Sequence, residues 1–214
     1  MNILITGFEP FGGEAINPSW EVARALHGER IAGHTVQACR LPTSFAGAPV
    51  ALTAALAELQ PRLVLALGQA SGRSEISIER IAINLIDARI ADNDGARPQD
   101  RPVLAGAPPA WFSTLPVKAM RDALRAAGHP AGLSLSAGAF VCNQVFFELQ
   151  HALAGSGVRS GFVHVPALSE QAARTQPSVP SMVLSAQIDA IRLAVGVALL
   201  GQDSGGPDEG APTS

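Results

Sequence analysis

The chain has 214 residues, of which 47% are hydrophobic, and a formal net charge of -3 at pH 7. This composition supports one domain of generous size with a large core, and it excludes a strongly basic nucleic-acid-binding protein. Two cysteines are too few for a disulfide scaffold, and the opening MNILITGFEP lacks the basic and apolar regions of a signal peptide. Since no apolar run reaches the roughly 18 residues of a membrane span, we expect a cytoplasmic chain with free thiols.

Strand-like and helix-like patterns alternate along the sequence. β-branched or continuously apolar runs predict strands at 2–8, 35–42, 61–69, 74–90 (one or two strands) and 160–168. Helical periodicity predicts helices at 18–26, 44–59 and 113–128, from Cys142 onward, and at 181–201. Asn17, followed by Pro18, and Ser44 are the expected N-caps of the first two helices.

Two segments rich in Pro, Gly and Asp interrupt this pattern. Residues 91–112 predict a long loop with short hairpin pieces, and residues 202–214 predict a disordered C-terminal tail. The remaining alternation of strands and helices predicts a single α/β domain at 1–201, with three α/β/α layers and a largely parallel central sheet.

In such folds, functional groups gather at the carboxyl ends of strands and at helix N-termini. Three polar residues occupy positions of this kind: Cys142 opens a helix, His164 precedes the end of an apolar strand, and Glu79 lies at the end of ISIER. A helix N-terminus favours a thiolate, so the three side chains are candidates for nucleophile, base and orienting acid. Taken singly, each also suits an inert role as a buried thiol, a core histidine or an ion-pair partner, and Cys39 is interpreted as structural.

The turn after the first strand, TGFEPFGG, lacks the lysine of a phosphate-binding loop and the G-x-G-x-x-G of a dinucleotide site. It carries two aromatic rings instead, Phe8 and Phe11, which either pack the loop or a subunit contact, or form the wall of a small apolar pocket. No C-x-x-C or H-x-x-x-H cluster supplies zinc ligands, so we expect no metal site.

Four segments resemble the pyroglutamyl peptidase I family of cysteine peptidases: ILITGFEPFGGEAINPSW, LALGQASGRSEISIERIAINLIDARIADNDG, SAGAFVCNQVFF and GFVHVPALSEQ. They span most of residues 3–171 in the order found in the family. The resemblance implies a peptidase that removes an N-terminal pyroglutamyl residue from peptides, needs no cofactor and commonly assembles as a cytosolic homotetramer. It implies no nucleic-acid or membrane partner.

The same resemblance implies roles for particular residues. The family's catalytic triad falls on Cys142, His164 and Glu79, and Arg89 lies by analogy near the oxyanion. The pocket for the pyroglutamyl lactam ring falls on Phe8, Phe11, Asn17, Gln69, Ile90, Phe140 and Val141.

The sequence departs from the family pattern at three positions. Ser71 replaces a glycine, and Phe147 and Ala167 stand where tyrosines are usual. None of them is a triad residue, but Ala167 is positioned to alter the pocket rim or a subunit contact. Two other functions stay open on the residues alone: a lactam-binding module without turnover, and an amidase acting on another cyclic substrate.

Overall fold

The structure is a computed structural model, and it describes residues 1–201. The predicted tail at 202–214 lies outside the described residues. The strands are β1 (Asn2–Phe8), β2 (Arg30–Ile31), β3 (His34–Leu41), β4 (Leu63–Gln69), β5 (Ile76–Glu79), β6 (Ile81–Ile83), β7 (Ala110–Phe112), β8 (Ala131–Ser134) and β9 (Arg159–Val165). The helices are α1 (Pro18–Leu26), α2 (Gly47–Leu59), α3 (Val117–Ala126), α4 (Val141–Ala152), α5 (Ser169–Ala172) and α6 (Leu184–Leu200).

Seven strands form one sheet in the order β2-β3-β1-β4-β9-β5-β8. The central strands β3, β1, β4 and β9 are parallel, and β5 is parallel to β8 but antiparallel to β9. The chain leaves β1 for β3 on one side and returns to β4 on the other side. This reversal opens a crevice beyond the carboxyl ends of β1 and β4, where open α/β sheets bind their ligands.

The sheet is covered on both faces, as three α/β/α layers require. Along β1, Ile3 and Ile5 join a core built with α1, α3 and α6, whereas Leu4 and Phe8 join a core built with α2 and α4. This alternation follows from the period of two along a strand, and it explains why β1, β4 and β9 are buried at nearly every position. The predicted α/β class with a largely parallel sheet is confirmed.

The helix caps agree in part with the sequence. Asn17 caps α1, with Pro18 at the first helical position, as predicted. The second helix begins at Gly47 rather than at the predicted position after Ser44, although Ser44 Oγ still accepts a hydrogen bond from Gly47 N at 2.9 Å. The backbone between Ser44 and Gly47 is bound outside the helix, because Phe45 N donates to Asp92 Oδ2 at 2.8 Å.

Three elements were not predicted, and one ambiguous segment is resolved. The strands β2 and β8 and the short helix α5 went unrecognised, since each has four residues or fewer. The segment 74–90 forms two strands, β5 in the large sheet and β6 in a two-stranded sheet with β7. The strand β7 is therefore one of the hairpin pieces expected in residues 91–112.

Candidate active site

A cavity of about 500 Å³ lies at the crevice between β1 and β4. Every predicted catalytic or pocket residue except Glu79 lines it. Its wall also contains residues that were not predicted to line the pocket: Glu14, Thr43, Ala70, Ser71, Arg73, Asp87, Ala137, Gly138 and Ala139. Side chains that are far apart in the sequence therefore converge at one edge of the sheet.

The nucleophile candidate lies in the first turn of α4. Phe140 is the N-cap and provides no side-chain acceptor, and Cys142 is the second residue of the helix. The first N–H groups of a helix have no intrahelical acceptor and carry partial positive charge. This end of α4 can therefore offer backbone donors to an oxyanion beside the thiol.

The ionisation of Cys142 depends on opposing influences around the sulfur. Burial, and after it the negative charge of Glu79, raise the pKa of the thiol to about 12, although the charge of Arg73 acts in the opposite direction. The thiol form is therefore favoured at neutral pH, because burial of the sulfur outweighs Arg73 and the backbone hydrogen bond at Cys142.

His164 and Glu79 come together through the pairing of β9 with β5. Ser77 lies opposite His164, and Glu79, two residues further, lies on the same face as Ser77 and diagonal to His164. His164 Nδ1 and Glu79 Oε1 are 2.8 Å apart. Because a carboxylate only accepts, Nδ1 is the donor, which leaves Nε2 with a lone pair for use as a base.

Glu79 lies behind the imidazole, outside the cavity wall. Since β5 runs antiparallel to β9, its last residue pairs with Phe162 rather than with the exposed end of β9, and Glu79 is fully buried. Burial raises the pKa of its carboxyl, but hydrogen bonding to His164 and the charge of the protonated imidazole, the two largest opposing causes, bring it below the usual 4.5. Glu79 is therefore a carboxylate at neutral pH.

Gly68 places the thiol next to the histidine strand. A Cβ at Gly68 would lie 2.9 Å from Cys142 Sγ and 2.8 Å from Phe162 Cζ, both too short for real contacts. Gly68 is also the residue paired with His164 between β4 and β9. The sulfur thus rests on the strand beside His164, where neighbouring strands are about 4.8 Å apart.

The aromatic residues divide between core and cavity wall. Phe8 is almost fully buried and joins the α2–α4 core, so its ring is chiefly a packing residue. The rings of Phe11 and Phe140 are 5.4 Å apart, and Phe45 meets Phe140 edge-on at 5.0 Å. Phe45 was not among the predicted residues, because it precedes a helix and no motif marks it.

The two amide side chains are already partly engaged. Asn17 Oδ1 accepts from Ser19 N at 3.1 Å and from Ser19 Oγ at 2.8 Å, and its Nδ2 donates to Glu9 O at 3.0 Å. Both lone pairs of that oxygen are used, so Asn17 can offer a ligand one N–H.

Gln69 is held by two polar neighbours. Its Nε2 donates to Ser71 Oγ at 3.1 Å, and its Oε1 accepts from Gln171 Nε2 at 3.4 Å. Ser71, one of the departures from the family pattern, thereby contacts a pocket residue.

The other two departures lie away from the cavity. Phe147 is fully buried in the α2–α4 core, and Ala167 is buried beside Ser181, to which it is joined by a β-bridge. Neither residue lines the cavity. Arg89 and Ile90 do line it, and both are exposed at its rim.

Residues 1–201 contain no cluster of His, Cys, Asp and Glu side chains able to hold a metal ion. Within the same residues, no helix combines the length and the apolar character needed to cross a bilayer.

Comparison with known proteins identifies the family. A family model described as pyroglutamyl peptidase matches residues 1–200. The chain is 54% identical over 200 residues to a pyrrolidone-carboxylate peptidase of Cupriavidus pinatubonensis, and the match covers 92% of each chain. A protein of the same name from Klebsiella pneumoniae is 54% identical over 198 residues, again with 92% of each chain covered. The chain belongs to the pyroglutamyl peptidase family.

Solved structures of the family share the fold. Pyroglutamyl peptidase I of Bacillus amyloliquefaciens superimposes with a TM-score of 0.90 at 37% identity, covering 94% of this chain and 95% of that one. A mutant pyrrolidone carboxyl peptidase from Pyrococcus furiosus gives a TM-score of 0.91 at 44% identity, covering 93% and 98%. The predicted family and the predicted enzyme class are therefore confirmed.

Proposed function

We propose that the chain hydrolyses the amide bond that follows an N-terminal pyroglutamyl residue, with Cys142 as nucleophile, His164 as base and Glu79 as the orienting carboxylate. The observation that carries this proposal is the buried His164–Glu79 hydrogen bond of 2.8 Å beside a thiol in the same cavity. The names of the relatives support the substrate class.

The reaction begins from a neutral thiol and a neutral imidazole. His164 Nε2 takes the thiol proton as the sulfur attacks the pyroglutamyl carbonyl carbon, and Glu79 stabilises the imidazolium that forms. Backbone N–H groups at the start of α4, with Arg89 at the rim, stabilise the oxyanion. The imidazolium then gives its proton to the leaving amine, and a thioester remains on Cys142.

Water completes the cycle. His164 removes a proton from a water molecule that attacks the thioester carbon, and the released sulfur recovers a proton from the imidazolium. The products are free pyroglutamate and a peptide with a new amino terminus. Every proton is returned at the end of the cycle.

Selectivity follows from the character of the wall. Phe11 and Phe140 cover the methylenes of the lactam ring, worth roughly 0.8 kcal/mol for each CH₂ removed from water. The N–H groups left on Asn17 and Gln69 suit the lactam carbonyl oxygen. A peptide with an open amino terminus would bring a charged ammonium into this site, and burying an unpaired charge costs several kcal/mol.

We propose a homotetramer in the cytoplasm as the working form, on the family resemblance and on the need to keep a nucleophilic thiol reduced. Light scattering on the purified protein measures the subunit number directly.

The test offers pyroglutamyl, alanyl and prolyl arylamides to the wild type, to Cys142→Ala and to the control Cys39→Ala. We expect cleavage of the pyroglutamyl compound alone, a loss of at least about 10³-fold in kcat in Cys142→Ala, and near-wild-type rates in the control. A Cys142→Ala variant with full activity would refute the mechanism. Thermal stabilisation by pyroglutamate without arylamine release would indicate a binding module, and inertness toward all three compounds would indicate another hydrolase.

A further inference from the structure

Arg73, in the loop after β4, connects three separate parts of the candidate site. Its Nη1 donates to Glu79 Oε1 at 2.8 Å, and its Nη2 donates to the backbone oxygen of Ser136 at 3.2 Å. Ser136 belongs to the segment that leads from β8 to Cys142. The guanidinium also lines the cavity, where about a third of its side chain is exposed.

The contacts of Glu79 are concentrated on one atom. Its Oε1 accepts from both Arg73 Nη1 and His164 Nδ1, each at 2.8 Å. Its Oε2 is buried and has no hydrogen-bonding partner among the described residues. The guanidinium and the imidazole therefore share a single carboxylate oxygen.

This sharing matters when His164 acts as a base, because the imidazole that accepts a proton carries no charge to balance Glu79. Without Arg73, the Glu79 carboxylate would be a buried charge beside a neutral ring, an arrangement that costs several kcal/mol. The pair would relieve that cost by binding a proton, on either the carboxylate or the imidazole. A proton on the imidazole removes the base, and a proton on Glu79 removes the carboxylate that orients it.

We propose that Arg73 is a positioning residue that balances the charge of Glu79 at rest and so keeps the Glu79–His164 pair free of an extra proton near neutral pH. This inference rests on the proposed function of Cys142, His164 and Glu79. By holding Ser136 as well, the same guanidinium fixes the carboxylate relative to the segment before the nucleophile.

The charges around the pair support this role. Glu79 comes from β5, Arg73 from the loop after β4, and Cys142 from α4, where its thiol is neutral at physiological pH. Arg73 lowers the pKa of both Glu79 and Cys142. The cavity wall has three other ionisable side chains: Glu14, Asp87 and Arg89. They are in contact with water, which screens their charges.

The experiment measures kcat/KM against pH for the wild type and for two neutral variants, Arg73→Gln and Arg73→Met. Without the positive charge of Arg73, the Glu79–His164 pair binds its extra proton at a higher pH. The acid limb of the kcat/KM profile, where activity falls as the pH decreases, is therefore expected to move upward by about one pH unit. Arg73→Lys keeps the charge and should keep the limb near its wild-type position, but with a lower kcat because one ammonium cannot span Glu79 and Ser136.

Arg62→Gln is the matched control, because it removes one positive charge from an exposed site before β4, at the opposite end of that strand from Gln69. It should leave the profile unchanged. A merely structural role for Arg73 would lower kcat equally in all three Arg73 variants and leave the acid limb in place, which would overturn the proposal.

A second readout does not need turnover. The rate of Cys142 alkylation by iodoacetamide, followed against pH by peptide mass spectrometry to separate it from Cys39, should show the same upward displacement in Arg73→Gln. If the wild type fails to cleave pyroglutamyl substrates, the proposed function fails, while this profile still tests Arg73. Coincident alkylation profiles in wild type and Arg73→Gln would overturn the role of Arg73 alone.

Discussion

At Gly68, a hydrogen in place of a side chain leaves the space that the Cys142 thiol occupies. The contact distances of 2.8 and 2.9 Å to an added Cβ mean that either Phe162 or the sulfur must move for any larger residue. Phe162 is fully buried within the core beneath α4, so the sulfur, at the cavity wall, is the freer of the two. The glycine therefore makes room for the thiol and for the Phe162 ring rather than for a backbone turn.

We expect Gly68→Ala to reduce kcat by roughly 10- to 100-fold, because a displacement of about 1 Å at the reacting atom is costly. Binding of the product pyroglutamate should weaken much less. Gly196→Ala is the control, since its Cβ would meet only Ile31 Cγ2 at 3.8 Å within α6 and the change should stabilise the helix by up to about 1 kcal/mol. Equal kcat values for Gly68→Ala and Gly196→Ala would show that the close approach has no catalytic role.

The residues of the candidate site differ in how readily a sequence pattern identifies them. Cys142 and His164 stand at the start of a helix and near the end of a strand, positions that periodicity reveals. Arg73 and Phe45 lie in connecting segments, and their contacts with Glu79 and Phe140 depend on chain packing that no local pattern encodes. The signal available for Arg73 was its place after a buried strand, in GQASGR.

Helix α1 links local folding to the cavity through its N-cap. Asn17 accepts two hydrogen bonds from Ser19 and also holds the loop after β1 through Glu9 O. Replacing an N-cap asparagine by alanine costs about 1 kcal/mol, whereas serine retains the cap acceptor.

The pair Asn17→Ala and Asn17→Ser separates these two tasks. Asn17→Ala should lose about 1 kcal/mol in the free energy of unfolding and also raise KM for a pyroglutamyl arylamide. Asn17→Ser should recover most of the stability but keep the raised KM, because it lacks the amide N–H. Denaturant titration and steady-state kinetics measure the two quantities, and a wild-type KM in Asn17→Ser would show that Asn17 acts only as a cap.

The presence of a strand could be predicted from the sequence more readily than the direction in which the strand runs in the sheet. Strong apolar runs located β1, β4 and β9, since burial on both faces leaves a continuous signal. The same patterns carry no information about strand direction, so the antiparallel pairing of β5 with β9 was not foreseen. That pairing buries Glu79 behind His164, a placement that no local pattern in the sequence indicates.

For the molecule as a whole, the sheet order brings distant segments to one edge. The loops after β1 and β4, the end of β9 and the start of α4 meet at the reversal between β1 and β4. The alternation of elements predicted this architecture, and the family comparison confirms it. The neutral state of the thiol depended on burial in the assembled fold and could not be obtained from its place at a helix end.

The most direct test of the proposed chemistry is a rapid acid quench during turnover of a pyroglutamyl ester, followed by peptide mapping in a mass spectrometer. We expect one pyroglutamyl acyl group on the peptide that contains Cys142, and none on the peptide that contains Cys39. An acyl group on another residue, or undiminished turnover by protein whose Cys142 is fully alkylated, would contradict the account.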